Sequence, residues 1–150
     1  MYMNFTKQKV VRFSHCDPAG IVFYPRYVEL CNEMVEDWFA DGLGFPLHRF
    51  QQELRLTIPA VRLEAEFVRT STHGDVLDFT LTVRALGRSS LSLDVAAHCE
   101  GKERVRFSLK LVLVSLDTMR PVPIDDSWRE RFERFQSESV GTDLVPGASS

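Results

Sequence analysis

The chain has 150 residues, 44% of them hydrophobic and 26% charged, with a net charge of −3 at pH 7. That size fits one domain with its own apolar core, and the slight acidic excess argues against a nucleic-acid-binding surface. No apolar run reaches membrane-spanning length, the first residues carry no apolar leader, and Cys16, Cys31 and Cys99 lack framework spacing. A cytoplasmic protein with free thiols and no membrane partner is therefore expected.

Val10 to Phe13 reads as a first short strand. It runs into Asp17-Pro18-Ala19-Gly20, a turn in which Pro18 fixes φ and Gly20 permits a left-handed backbone. A helix is predicted from about Pro25 to Asp41: Tyr27, Leu30, Cys31, Met34, Val35, Trp38 and Phe39 recur at helical spacing and make one broad apolar face. Pro25 suits the first helical turn, and Gly42, Gly44 and Pro46 supply the stop.

From Leu54 the period changes to two. Val61, Leu63, Ala65 and Phe67 form one alternating set, Leu77 to Val83 a second, Leu91 to Ala97 a third and Val105 to Leu113 a fourth. Such alternation predicts antiparallel strands with one face on a core and one in water, which puts Arg104, Arg106, Ser108 and Lys110 on the wet side. The short separators around Gly74, Gly87 and Gly101 read as hairpin turns, and three successive hairpins would make a meander. After Ser115, Ser127 and Glu130 fit a capping box ahead of a short helix bearing Trp128, Phe132 and Phe135. Residues 137–150 have little apolar content and are expected to be a disordered tail, leaving 1–136 as one domain.

A lone apolar helix and one antiparallel sheet can bury each other only if the sheet curls around the helix. The expected class is α+β, a single hotdog domain with a short C-terminal helix.

Asp17 sits on a turn just before the long helix, where unpaired backbone N–H groups and the positive dipole end are presented. A carboxylate and a polarising amide are the two parts needed to attack an activated carbonyl. The plainer reading is an Asx-turn cap. A free aspartate, with a pKa of ~3.9, needs positioning more than activation. Gly20 serves either a close approach to substrate or the backbone geometry alone. His15 and Cys16, as neighbours in an extended segment, point to opposite sides and make a poor dyad. There is no G-x-S-x-G elbow, no metal-ligand spacing around His73 or His98, and no Gly-rich phosphate loop. No metal or redox cofactor is expected.

Phe13 through Tyr27, with Cys16-Asp17-Pro18-Ala19-Gly20-Ile21-Val22 and Tyr24-Pro25 at its centre, resembles the active-site segment of the 4-hydroxybenzoyl-CoA thioesterase family. The resemblance extends through the order of elements to about Ser115. It implies an acyl-CoA thioesterase in which Asp17 is nucleophile or general base and the Tyr24 backbone N–H polarises the thioester carbonyl. It implies coenzyme A, present only as part of substrate and product, lying near Arg88, Ser89 and Ser90. It also implies a homodimer or homotetramer with active sites at the protomer interface. This chain departs from the family twice. Gly87 and Ser89 stand where members can carry further basic residues. Asn32 is a neutral amide where the 4-hydroxybenzoyl enzyme has a carboxylate for the phenolic hydroxyl. A benzoyl, other aryl or medium aliphatic acyl group is then as credible as 4-hydroxybenzoyl. The rival readings are a hotdog hydratase or dehydratase and a non-catalytic acyl-thioester-binding module.

Overall fold

A computed structural model describes residues 3–137; of the tail expected over 137–150, all but Ser137 lies outside the described residues. The chain runs β1 (Phe5–Val10), α1 (Tyr24–Asp37), α2 (Leu47–Leu54), β2 (Leu56–Thr57), β3 (Ala60–Phe67), β4 (Val76–Leu86), β5 (Ser90–Cys99), β6 (Lys102–Val112), β7 (Val114–Ser115) and α3 (Asp126–Glu133). Five strands form one antiparallel sheet in the order β1-β4-β5-β6-β3, while β2 and β7 make a small separate pair. Register shifts at Val83/Ala85 and Ala97/His98 mark irregularities in the central strands, and such bulges increase local bend and twist.

The apolar stripe of α1 is buried as the sequence predicts. Tyr27, Leu30, Cys31, Met34 and Val35 face the core, followed by Trp38 and Phe39 in a π-helical turn over Trp38–Gly42. Together α1 and this turn make the long helix expected over Pro25 to Asp41. Beneath them lie Leu77, Phe79, Leu81, Leu93, Val95 and Phe107, all essentially inaccessible to water. Truncating one such leucine to alanine costs about 2–5 kcal/mol. Trp128 and Phe132 of α3 close the far end by packing on Phe50, Phe39 and Trp38.

Three local expectations are corrected, and α2 is an element they do not include. The first strand is Phe5–Val10, and Phe13–His15 is a short 3-10 turn. Lys7 and Lys9 hide the strand from a hydrophobicity pattern. They share a sheet face with Phe79 and Leu77 but carry their ammonium groups to Asp41 and Asp37, at 2.9 and 2.8 Å. Helix α2 occupies a stretch with only Phe50 fully buried, too little apolar signal to stand out. The turn at Thr72–Asp75 is a crossover: β3 pairs with β6, not with β4, so only β4–β5 and β5–β6 are hairpins. The cap of α3 is Asp125, whose side chain accepts from Trp128 N at 2.8 Å, in place of the expected Ser127.

The crossover leaves β3 on the outer edge. Its core-side residues are only partly covered within the chain: Leu63, opposite Leu109, is 41% exposed and Phe67, opposite Val105, is 49% exposed.

Candidate active site

The segment from Cys16 to Val22 folds back on itself. Cys16 and Val22 form an antiparallel bridge, Asp17 N donates to Ile21 O at 2.9 Å, and Phe23 N donates to His15 O at 2.9 Å. At the bend, Gly20 N donates to Asp17 O and Ala19 N donates to Asp17 Oδ1, both at 2.9 Å. The Asx turn expected of Asp17 is therefore real, and it uses only one carboxylate oxygen. Among the described residues Oδ2 has no hydrogen-bond partner. Gly20 holds φ at +82°, while a Cβ added there would meet nothing within 4 Å. The backbone angle, not crowding, asks for glycine.

Directly after this bend α1 begins at Tyr24, with Phe23 as its extended N-cap residue. A helix start normally offers several free N–H groups. Here Pro25 has none, and Arg26 N donates to Phe23 O at 2.8 Å. Among the described residues the Tyr24 N–H is thus left as the free donor at the helix start, directly after the Asp17 bend. The Tyr24 side chain is exposed and rests edge-on against Phe67.

Asp17 lines a cleft of ≈ 570 Å³ with Phe13, Cys16, Pro18, Gly20 and His73. Nothing in the local pattern around His73 points there. It arrives because Thr72 pairs with Ile21, and its ring packs on Phe13 with centroids 5.9 Å apart. The His15–Cys16 pair makes no dyad. His15 Nδ1 accepts from Arg12 N at 2.9 Å, Cys16 Sγ lies 3.6 Å from Arg12 O, and burial lowers the His15 pKa. Cys31 is an inert core thiol, pushed up to about 12 by burial.

Asn32 lies elsewhere. It is exposed on α1 and lines a larger, mostly apolar groove of ≈ 780 Å³ between α1 and β3, with Glu29, Glu36, Ile58, Ala60 and Leu63. This groove and the Asp17 cleft share no lining residue. Arg88, Ser89 and Ser90 form the turn into β5, held by Gly87 N to Ser90 O at 2.8 Å and Leu113 N to Ser89 O at 2.7 Å. Arg88 is exposed, and Arg129 of α3 donates from Nη2 to Gly87 O at 2.8 Å. A second guanidinium thus stands beside Arg88. Its sequence distance, 42 residues from Gly87, kept it out of any local motif. Arg84 pairs with Asp94 at 3.6 Å. Among the described residues no cluster of His, Cys, Asp and Glu is arranged to hold a metal ion, and no helix is long and apolar enough to cross a membrane.

One antiparallel sheet around a long helix is the arrangement of the hotdog fold. The chain belongs to the thioesterase-like superfamily, whose family model matches residues 11–132. It is 29% identical over 120 residues to a 1,4-dihydroxy-2-naphthoyl-CoA hydrolase of Thermosynechococcus vestitus, covering 79% of this chain and 82% of the relative. It is also 29% identical to the 4-hydroxybenzoyl-CoA thioesterase of a Pseudomonas species, over 147 residues and 97% of each chain. A solved gentisyl-coenzyme A thioesterase superposes with a TM-score of 0.77 at 26% identity, covering 85% of this chain and 99% of that one.

Proposed function

We propose that this protein hydrolyses an aryl-CoA thioester to the free acid and coenzyme A. The observation that carries the reading is the bend itself: a carboxylate with one oxygen uncommitted, next to a helix start whose first N–H is unpaired. The thioester carbonyl oxygen accepts from the Tyr24 N–H, where a backbone donor of this kind is worth ~2.7–4 kcal/mol to the developing oxyanion. Asp17 then acts in one of two ways. It attacks the carbonyl carbon and expels the CoA thiolate, leaving an acyl-aspartyl anhydride for water to cleave, or it takes a proton from a water that attacks directly. Single turnover in heavy-oxygen water followed by mass analysis of the Asp17 peptide addresses this choice, since label in Asp17 identifies the anhydride. No metal or redox cofactor takes part in either route.

Coenzyme A is proposed to lie along the turn bearing Arg88, Ser89 and Ser90, with Arg129 as a further phosphate contact. The acyl ring is proposed to meet Asn32, an amide that hydrogen-bonds a ring substituent without adding charge. Because the Asp17 cleft and the Asn32 groove are separate in one chain, and because β3 is an uncovered apolar edge, we also propose a homodimer formed through β3, with each site drawing on both chains. His73 in the Asp17 cleft is a feature that favours the hydratase reading.

The test is a panel of acyl-CoA esters varying in ring, hydroxylation and chain length, assayed for free thiol, with enoyl-CoA hydration followed in parallel. Preferential thiol release from aryl-CoA esters is the expected result. Hydration without thiol release, or binding without turnover, overturns the proposal.

A further inference from the structure

Below the Asp17 bend lies a buried polar cluster that a purely apolar core would not need. Arg104 sits on the strand face that alternation assigns to solvent, yet its side chain is only 14% exposed. Its Nη1 lies 2.9 Å from Thr70 O, 3.0 Å from Ser71 Oγ and 2.9 Å from Asp75 Oδ2. Asp75 Oδ2 also accepts from Thr72 N at 3.0 Å. The crossover from Thr70 to Asp75 is thus wrapped around one guanidinium. Tyr27 OH donates to Ser71 Oγ at 2.8 Å, both residues being buried, and ties the crossover to α1 one turn after Tyr24.

The same crossover grips the Asp17 loop at both ends. Before the loop, Val11 N donates to Asp75 O at 2.8 Å and Gly74 N donates to Val11 O at 2.9 Å. After it, Val22 N donates to Ser71 O at 2.9 Å and Ile21 pairs with Thr72. Carboxylate and helix start are therefore hung from one frame, whose angle to α1 is set by the Tyr27–Ser71 bond.

We propose that Tyr27, Ser71, Arg104 and Asp75 are positioning residues, which hold the Asp17 bend at its working angle to the start of α1 without touching substrate. The proposal rests on the reading of Asp17 as the catalytic carboxylate. Its physical basis is directionality. Desolvating a guanidinium and a carboxylate is costly, and apolar residues of the same volume often stabilise a core as well or better. Apolar contacts tolerate sliding; hydrogen bonds fix distance and angle. Arg104 Nε is buried without a partner among the described residues, a cost accepted while Nη1 makes every contact with the crossover. Burial raises the Tyr27 pKa, which keeps the hydroxyl a donor across the pH range of an assay.

Tyr27→Phe is the primary test, because it removes one oxygen and leaves the ring packed against Phe67. With the acyl-CoA ester best hydrolysed by the natural protein, kcat is expected to fall about tenfold with KM changed by less than about twofold, the pattern of a lost transition-state geometry. The deficit should persist well below the melting temperature. Ser71→Ala, which also takes the Oγ from Arg104 Nη1, should cost at least as much, and adding Tyr27→Phe to it should cost nothing further, since the bond they share is already gone. Unchanged kcat in both single variants overturns the proposal, as does a loss that merely tracks the unfolded fraction or one confined to KM. Asp17→Asn is assayed alongside. If it is inactive while Tyr27→Phe is fully active, only the positioning role fails. If Asp17→Asn hydrolyses normally, the reading of the site fails and this proposal with it.

Discussion

Phe67, the last residue of β3, meets the ring of Tyr24 edge-on with centroids 5.8 Å apart. The uncovered edge of the sheet thus ends at the first residue of α1, where the free N–H lies. Anything that pairs with β3 must come up against the proposed carbonyl site. Lysine in place of Val61 puts a charge on this edge at a position 60% exposed and outside the groove that holds Asn32, where folding itself is little affected. Light scattering should find the natural protein as a dimer or larger and Val61→Lys as a folded monomer. Thiol release should fall by about tenfold or more, because an assembled site is lost along with the interface. A fully active monomer would refute the shared site.

Asparagine at position 17 retains an oxygen to accept from Ala19 N, so the bend keeps its cap. It lacks the anion. Hydrolysis should drop about 10²- to 10⁴-fold in kcat, the usual contribution of a positioned acid or base, with little change in KM or melting temperature. Steady-state kinetics and a thermal melt on the same preparation check both halves.

Asp17 and Arg104 differ in how visible they are before folding. Asp17 and Gly20 announce themselves because the bend is local: an Asx turn and a left-handed glycine are made by residues within a few positions of each other. The stripe of α1 and the alternation of β4, β5 and β6 are legible for the same reason. Arg104 is not. Alternation puts it in water, and only the crossover from the far edge of the sheet supplies the carbonyl, the hydroxyl and the carboxylate that bury it. Lys9 on β1 is the same case, since its partner Asp37 is 28 residues away. The apolar set on β3 reads as a buried-type pattern, but a register shift after Ala60 takes Val61 out of it and the chain alone does not fully bury the rest, because strand order is a non-local property. His73 and Arg129 reach their places through such long-range pairing too.

Gly20 separates conformation from crowding. Alanine there must adopt φ near +82° with no steric neighbour to blame. A melting temperature lower by a few degrees is expected, corresponding to about 1 kcal/mol for a left-handed non-glycine residue. Asparagine, which tolerates that region better, should recover most of the loss. Equal destabilisation by both would instead indicate hidden crowding.

Asp75 gives the fold an acid limb. The amide of Thr72 and the Arg104 guanidinium hold its carboxyl below the ordinary value of 3.8, with Thr72 the larger influence. A carboxylate whose folded pKa is depressed binds fewer protons than in the unfolded chain. Its stabilisation is complete above the unfolded pKa and is lost as pH falls through that value toward the folded one. Denaturant unfolding of the natural protein and of Asp75→Asn should therefore differ most near neutrality and converge as pH drops below about 4. Parallel curves across that range would exclude the linkage.

Arg88 and Arg129 are proposed to act on the nucleotide end of the substrate, far from the bond that breaks. Their removal should then weaken binding uniformly and leave the chemical step alone: KM rises and kcat stays. Each is partly or fully exposed, so the effect of Arg88→Ala or Arg129→Ala should be modest, about tenfold at low salt and smaller at high salt. The informative comparison is between a full acyl-CoA and the same acyl group on N-acetylcysteamine, which carries no phosphate. Both variants should hydrolyse the truncated thioester as well as the natural protein does, and the KM defect should appear only with the full cofactor. If instead the truncated thioester is affected equally, the arginines act through the fold, Arg129 by releasing the Gly87 carbonyl that it now holds. Coenzyme A would then have to be sought on another part of the surface.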